Sequence, residues 1–541
     1  MGGLMVVWRA RPRWWLACGL ALGLVGCSPG QAGDPEPSPT AATTTASAPV
    51  SSPASSPAAT GSPAPEAAPA LATLYGDGHD ENIGHARIDV IGLERTTPTS
   101  VTARFRVTAD RRPVRLGQFH SYDLAGQNAY DYIQAFSGFF LLDDARFAVY
   151  HPMKRDDVEV RARCLCSYSE VSATLEPGQS ATLWAVYHVP PETTSVAVGF
   201  HGAGLTPPLP ISPAGTGPKV DGEPDAAVIE AAYPNTTQLV TRTSGTTVSV
   251  AESGTRVEIA LNTDVLFEFD KATLTGKAKE ELRRAADRIG TEAKGTVKIV
   301  GHTDDVGTEA YNLRLSVRRA EAVRKALRSL VRNPGVSFTA EGKGETQPAV
   351  KGTSERARAR NRRVEVIFER EVPAPSPRPT PSSAPSAEPA ATDPGTPLAT
   401  ARGVRRLTGL NAELLELRRI SRRGLIATFS LSHASGGEVR LAEGAIDRDA
   451  EEIGVITGFH TEFFWVALTG PDGTRYLPLT TPGDDPGSPR HCVCSVTTLK
   501  SLGPGRRVRL WVLMTAPPEE VTTVDVNLFG FTPMKGVRIA A

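Results

Sequence analysis

Apolar and polar residues alternate over short runs in two separated parts of the chain, as VTARFRV (101–107) and ATLWAVYHV (181–189) in the first and RVRLWVLM (507–514) in the second. Pro and Gly turn signals bound these runs, which predicts short strands stacked as a β-sandwich in each part. Between them the period changes. RVEIAL (256–261), VLFEFD (265–270), TVKIV (296–300), VSFTAEG (336–342) and RRVEVIFE (362–369) have strand character. Ala278, Leu282, Ala285 and Ile289 recur at helical steps, and so do Ala320, Val323, Leu327 and Leu330. The central stretch therefore predicts an α/β unit, a sheet covered on one face by two helices.

The two strand-rich parts repeat each other. CLCS (164–167) matches CVCS (492–495), LEPGQSATLW ending at Trp184 matches LGPGRRVRLW ending at Trp511, and PPE follows each tryptophan at the same distance. Val196 and Val198 correspond to Val524 and Val526, and Phe139-Phe140 to Phe463-Phe464. Residues 72–212 and 403–541 are expected to be two copies of one all-β, sandwich-like domain. They bracket the central unit at 255–370, with 213–254 as a connecting segment and 371–402 as a Pro-rich linker.

At the N-terminus, Arg9, Arg11 and Arg13 precede LACGLALGLVG, an apolar run too short to span a bilayer, and Cys27 follows directly. This reads as an export signal over 1–26. LVGC resembles the bacterial lipobox, which implies lipidation of Cys27 and a membrane anchor. Residues 27–71 are dominated by Pro, Ala, Ser and Thr and have almost nothing to bury, so they read as a tether.

The 59 Lys and Arg balance the 59 Asp and Glu, leaving no global field to draw the chain to nucleic acid, so no nucleic-acid partner is expected. Charge matters locally instead, on the second central helix. With Asn312 at zero and ~100° per residue, the apolar stripe centres near +40° and Arg314, Arg318, Arg324 and Arg328 fall on the far, solvated side. Arg319 lies near −20°, about 10 Å along the axis from Asn312 on the same helix edge. Asp304 stands where the preceding strand ends and the loop to this helix begins, a usual place for ligand contacts. A carboxylate and a guanidinium at two ends of one groove suit a zwitterion: Asp304 for an ammonium, Arg319 for a carboxylate. Asp305 reads as a solvated or capping acid, His302 as a packed or half-exposed ring, and RARARNRR as a short solvated helix leading into a strand.

These residues form a recognisable set. Thr303-Asp304, Gly307, Asn312, Leu315-Ser316, Arg319-Ala320 and Val323, with LFEFDKATL (266–274), EGKGETQP (341–348) and NRRVEV (361–366), resemble the OmpA-like peptidoglycan-binding domain in the expected order. The resemblance implies a β-α-β-α-β sheet and non-covalent binding of peptidoglycan through the diaminopimelate of its stem peptide. By position, Asp304 would meet the side-chain ammonium and Arg319 its carboxylate. Thr303, Asn312, Leu315 and one of Arg362 and Arg363 would complete the groove, the choice between the two arginines staying open. On this reading no enzyme activity, cofactor or metal is expected, and together with the lipobox it places the protein in the cell envelope, lipid-anchored at the outer membrane or the outer face of the cytoplasmic membrane. The resemblance says nothing about the flanking copies, for which an envelope protein partner is an open expectation.

The paired cysteines support a different reading. In an exported chain Cys164-Cys166 and Cys492-Cys494 are expected to be oxidised, each pair closing a tight loop or pairing between copies. A thiol-disulfide or metal-handling protein is the alternative function, and an envelope scaffold binding protein or carbohydrate a third.

Overall fold

The computed structural model describes residues 69–76, 86–119, 136–155, 164–167, 173–350, 352–371, 396–434, 436–440, 466–482, 491–495 and 501–540. The signal, Cys27 with most of its tether, residues 372–395 of the Pro-rich stretch and Phe463-Phe464 lie outside the described residues.

The central sheet is built from β1 (Val240–Ser244), β2 (Val248–Ser253), β3 (Arg256–Asn262), β4 (Ala293–His302), β5 (Val336–Gly344) and β6 (Arg363–Arg370), in the order β5-β4-β6-β3-β2-β1. Helix α1 (Gly276–Glu292) precedes β4, α2 (Glu309–Leu330) joins β4 to its parallel neighbour β5, and α3 (Glu355–Asn361) leads into β6. Each helix starts where the sequence offers an oxygen to an unpaired backbone N–H: Thr275, Thr308 and Ser354 accept from Ala278, Tyr311 and Ala357. Ala278, Leu282 and Ile289 of α1 share one core with Ala320, Val323 and Leu327 of α2 and with Val257, Ile259, Val297, Ile299, Val364, Val366 and Phe368 of the sheet. Both helices thus cover one sheet face.

Three expectations need correction. VLFEFD is no strand: Asn262 accepts from Asp264 N–H and starts one helical turn, Thr263–Leu266. Leu266 and Phe267, consecutive in sequence, are both buried, which an alternating strand does not allow, and Phe269 is 97 % exposed. Leu330 leaves the apolar stripe of α2 and is exposed at its last turn. Finally, 213–254 is not only a connector, because β1 and β2 extend the central sheet from within it.

In the first repeated region the strands Ala72–Gly76, Ala86–Thr97, Ser100–Ala109 and Ser180–His188 form one sheet in that order. Phe139–Asp143 lies in a second sheet between Ser195–Phe200 and Ala148–Tyr150. The later region has the same order: Ala399–Arg402, Leu410–Arg419, Gly424–His433 and Arg507–Thr515 in one sheet, with Val466–Thr469 between Thr523–Leu528 and Arg475–Tyr476 in the other. Its first strand starts at Ala399, inside the stretch assigned to the linker. In each region one apolar core takes residues from both sheets, Ile88, Phe105, Leu141 and Val198 in the first and Leu414, Phe429, Leu468 and Val526 in the second.

Residues 236–244 tie these parts together. Thr236–Gln238 pairs with Ala148–Tyr150 of the first region, and Val240–Ser244 pairs on one side with β2 and on the other with Arg475–Tyr476 of the second. The central sheet consequently continues into the later region as one 10-stranded sheet. Leu239, between the two pairings, is buried among Phe140, Leu142, Phe147 and Val149 of the first region and Leu479, Val493, Trp511 and Leu513 of the second. The regions touch directly: Trp511 Nε1 donates to His201 O at 3.1 Å, and His201 Nδ1 donates to Cys494 O at 2.7 Å. The corresponding Trp184 is covered by Val220, Val228, Ile229 and Ala232.

Each CxC pair is closed on itself, Cys164 to Cys166 and Cys492 to Cys494, with Cα atoms 5.4 Å apart in both. The bridges occupy matching places: Ser167 Oγ accepts from Trp184 N–H and Ser495 Oγ from Trp511 N–H, both at 2.9 Å. Pairing between the copies is not what forms, and these sulfurs are not available as metal ligands.

Candidate functional site

The site gathers where β4 ends. Gly301 and Gly342 let α2 lie against the sheet, since a Cβ on Gly301 would stand 2.2 Å from Ser316 O and one on Gly342 2.4 Å from Val317 N. Ser316 Oγ accepts from Gly344 N–H at 2.9 Å, and Thr303 N–H donates to Gly344 O at 3.0 Å, so the ends of β4 and β5 and the first turns of α2 are pinned together.

Asp304 leaves the strand with its carboxylate largely covered. Its Oδ1 accepts from Val306 N–H at 3.2 Å and its Oδ2 from Arg362 Nη1 at 2.7 Å. Arg362 is thus the arginine of the NRR segment that turns to the site, while Arg363 pairs with Glu365 at 2.6 Å. Arg362 belongs to the α3–β6 junction (φ −72°, ψ 80°), so the rule that neighbouring strand residues face opposite ways does not decide between them. Its guanidinium also meets Asp264 through Nε and Nη2, at 2.9 and 2.8 Å, and Glu355 at 2.7 Å. Asp264 foremost, then Asp304 and Glu355, hold its proton above arginine's ordinary range against the cost of burial.

Arg319 has a contrasting environment. It is 6 % exposed, its guanidinium lies 5.4 Å from the Phe267 ring centroid, and its Nε donates to Lys271 O at 3.2 Å. Among the described residues no carboxylate stands within ion-pair distance of it. Burial lowers its pKa, and the more distant Asp264, Asp270, Tyr311 and Asp304 oppose that shift. An arginine held this way keeps donors available for an anion.

Asn312 is buried and donates from Nδ2 to Asp304 O at 3.3 Å and to Glu345 Oε2 at 2.5 Å. Gly307, at φ 106°, makes the turn beneath it. Thr303 and Leu315 are buried as well, the Thr303 hydroxyl without a hydrogen-bond partner among the described residues. Asp305 pairs with Arg358 of α3 at 2.7 Å, so it is a bridging acid rather than a free one. His302 is buried, 3.3 Å from Glu365 Oε2. Arg314, Arg318 and Arg328 are exposed as expected, and Arg324 pairs with Glu321.

Sequence reasoning passed over Asp264, Phe267, Asp270 and Glu345. Phe267 and Asp270 lie inside the LFEFDKATL motif, which was the available signal, and Tyr311 Oη donates to Asp270 at 2.5 Å. Nothing local marked Asp264, which meets Arg362 across 98 residues of sequence.

A family model described as "OmpA family" matches residues 266–362. The chain carries an OmpA-family domain there. Outer membrane protein A of Bordetella avium is 42 % identical over 113 residues, covering 20 % of this chain and 56 % of that protein. A peptidoglycan-associated lipoprotein of Legionella pneumophila is 37 % identical over 107 residues, covering 19 % and 58 %. The chain thus spans less than two thirds of these curated relatives. Among solved structures, the peptidoglycan-associated lipoprotein of Burkholderia pseudomallei is 32 % identical, covering 19 % of this chain and 88 % of that one, with a TM-score of 0.17.

Proposed function

We propose that residues 255–370 bind peptidoglycan non-covalently through diaminopimelate and that the protein tethers a membrane to the cell wall. The observation that carries this reading is Arg319, a buried guanidinium with no carboxylate at ion-pair distance among the described residues, close enough to Asp304 for that acid's charge to act on it. In it, Arg319 takes the ligand's carboxylate and Asp304 its ammonium, with Thr303, Asn312 and Leu315 shaping the walls and Arg362 backing Asp304. The names of relatives, outer-membrane and peptidoglycan-associated proteins, support an envelope location. Cys27 is the proposed lipid attachment, and residues 27–71 the tether that lets the domain reach the wall. The proposed activity is binding, not catalysis.

We further propose that the two flanking regions are copies of one β-sandwich domain, presented beside the wall-binding unit to an envelope partner. Their matching strand orders and disulfides support this. The thiol-disulfide and metal readings gain no support, since both cysteine pairs are closed and buried.

Diaminopimelate-containing sacculi are expected to sediment with the purified chain. Asp304→Asn and Arg319→Ala should each release most of it to the supernatant. Equal retention of all three proteins would sink the assignment.

A further inference from the structure

We infer that Asp264 is a positioning residue for the ammonium end of this site, acting through Arg362 to hold Asp304 in place and to leave the cluster around it net negative. The inference rests on the diaminopimelate reading above.

As the site stands, Asp304 already has a cation on it, Arg362 Nη1 at 2.7 Å. Alone, that contact would cancel the charge a ligand ammonium needs. Arg362, however, meets three carboxylates, Asp264, Glu355 and Asp304, so the cluster retains net negative charge. Of the two others, Glu355 is 77 % exposed and its contact is screened by water. Asp264 makes the two-point contact, through Nε and Nη2, that fixes a guanidinium plane. With that plane fixed, the remaining Nη1 can only point at Asp304.

Two further observations make the arrangement specific. Thr263 N–H donates to Arg362 O at 3.0 Å, so the helical turn bearing Asp264 is stitched to the junction bearing Arg362, and the pair cannot drift apart. Asp264 is also foremost among the acids whose charge supports Arg319. It pairs directly with Arg362 and reaches Arg319 only at a distance.

The alternatives are that Asp264 touches the ligand itself, or that it only helps the domain fold. Sedimentation of the full chain over a range of sacculus concentrations separates them, with free meso-diaminopimelate as competitor. Asp264→Asn is expected to weaken retention about fivefold, as for a half-exposed charge acting at one remove. Asp264→Glu should restore most of it. In an Arg362→Gln background Asp264→Asn should cost nothing further, because its route to Asp304 is gone. A loss that persists in that background, or no loss from Asp264→Asn while Arg319→Ala still releases the protein, overturns the inference alone. Failure of the wild-type chain to bind overturns the diaminopimelate reading with it.

Discussion

A guanidinium removed from water without a carboxylate beside it costs free energy that other contacts or a ligand must offset. Arg319 is such a group, and the sequence pointed to it through its angle on the helix, at the border of the apolar stripe. The same geometry could not show that Phe267 lies against it or that Lys271 O receives its Nε, because both come from a loop that closes only in three dimensions. Glu365, on β6, shows how charge is settled in this unit. Burial works to raise its pKa, yet His302 and Arg363 hold it at about 2, against an ordinary 4.5. Its contribution to stability is complete above 4.5 and is lost as pH falls toward 2. Glu365→Gln is accordingly expected to be less stable than the parent at neutral pH, with a melting temperature that varies less between pH 4.5 and 2. Parallel slopes in the two proteins would contradict this.

The elements that read well from sequence were those whose period is set by one buried face. Both long helices and β3, β4 and β6 have it, so their stripes were visible. VLFEFD misled because Leu266 and Phe267 enter the core from a helical turn and its exit, a pattern that a short window cannot separate from a strand. The seat of α2 depends on residues with no side chain at all. Gly301→Ala would place its methyl 2.2 Å from Ser316 O, backbone that cannot rotate away. A cost of about 1–3 kcal/mol is expected, with faster amide exchange across α2 and weaker sacculus retention, because Asp304 and Arg319 are held on either side of that contact. Unchanged exchange in α2 would show that the helix can shift freely.

On the scale of the whole molecule, CxC, Trp and PPE pointed to two copies of one domain, but nothing in them marked the difference between the two regions. Leu142, opposite Val149 and Ala197 in the first region, corresponds to Thr469, opposite Arg475 and Asp525 in the second. The first set is buried against Trp511 and Val493, whereas the second presents polar residues in its place. A head-to-tail contact of this kind repeats indefinitely unless something stops it. Here the polar face stops it at one end, and Ile229 with its neighbours covers Trp184 at the other.

The segment at 236–244 also separates connectivity from cohesion. The backbone route to residues 399–540 runs through 372–395, yet Val240–Ser244 already bonds Arg475–Tyr476 from the near side of that stretch. A protease cut within 372–395 should therefore yield two fragments on a denaturing gel that still elute together as one particle from a native sizing column. Elution as two separate species would mean that the Pro-rich peptide, and not the shared sheet, keeps the later region in place.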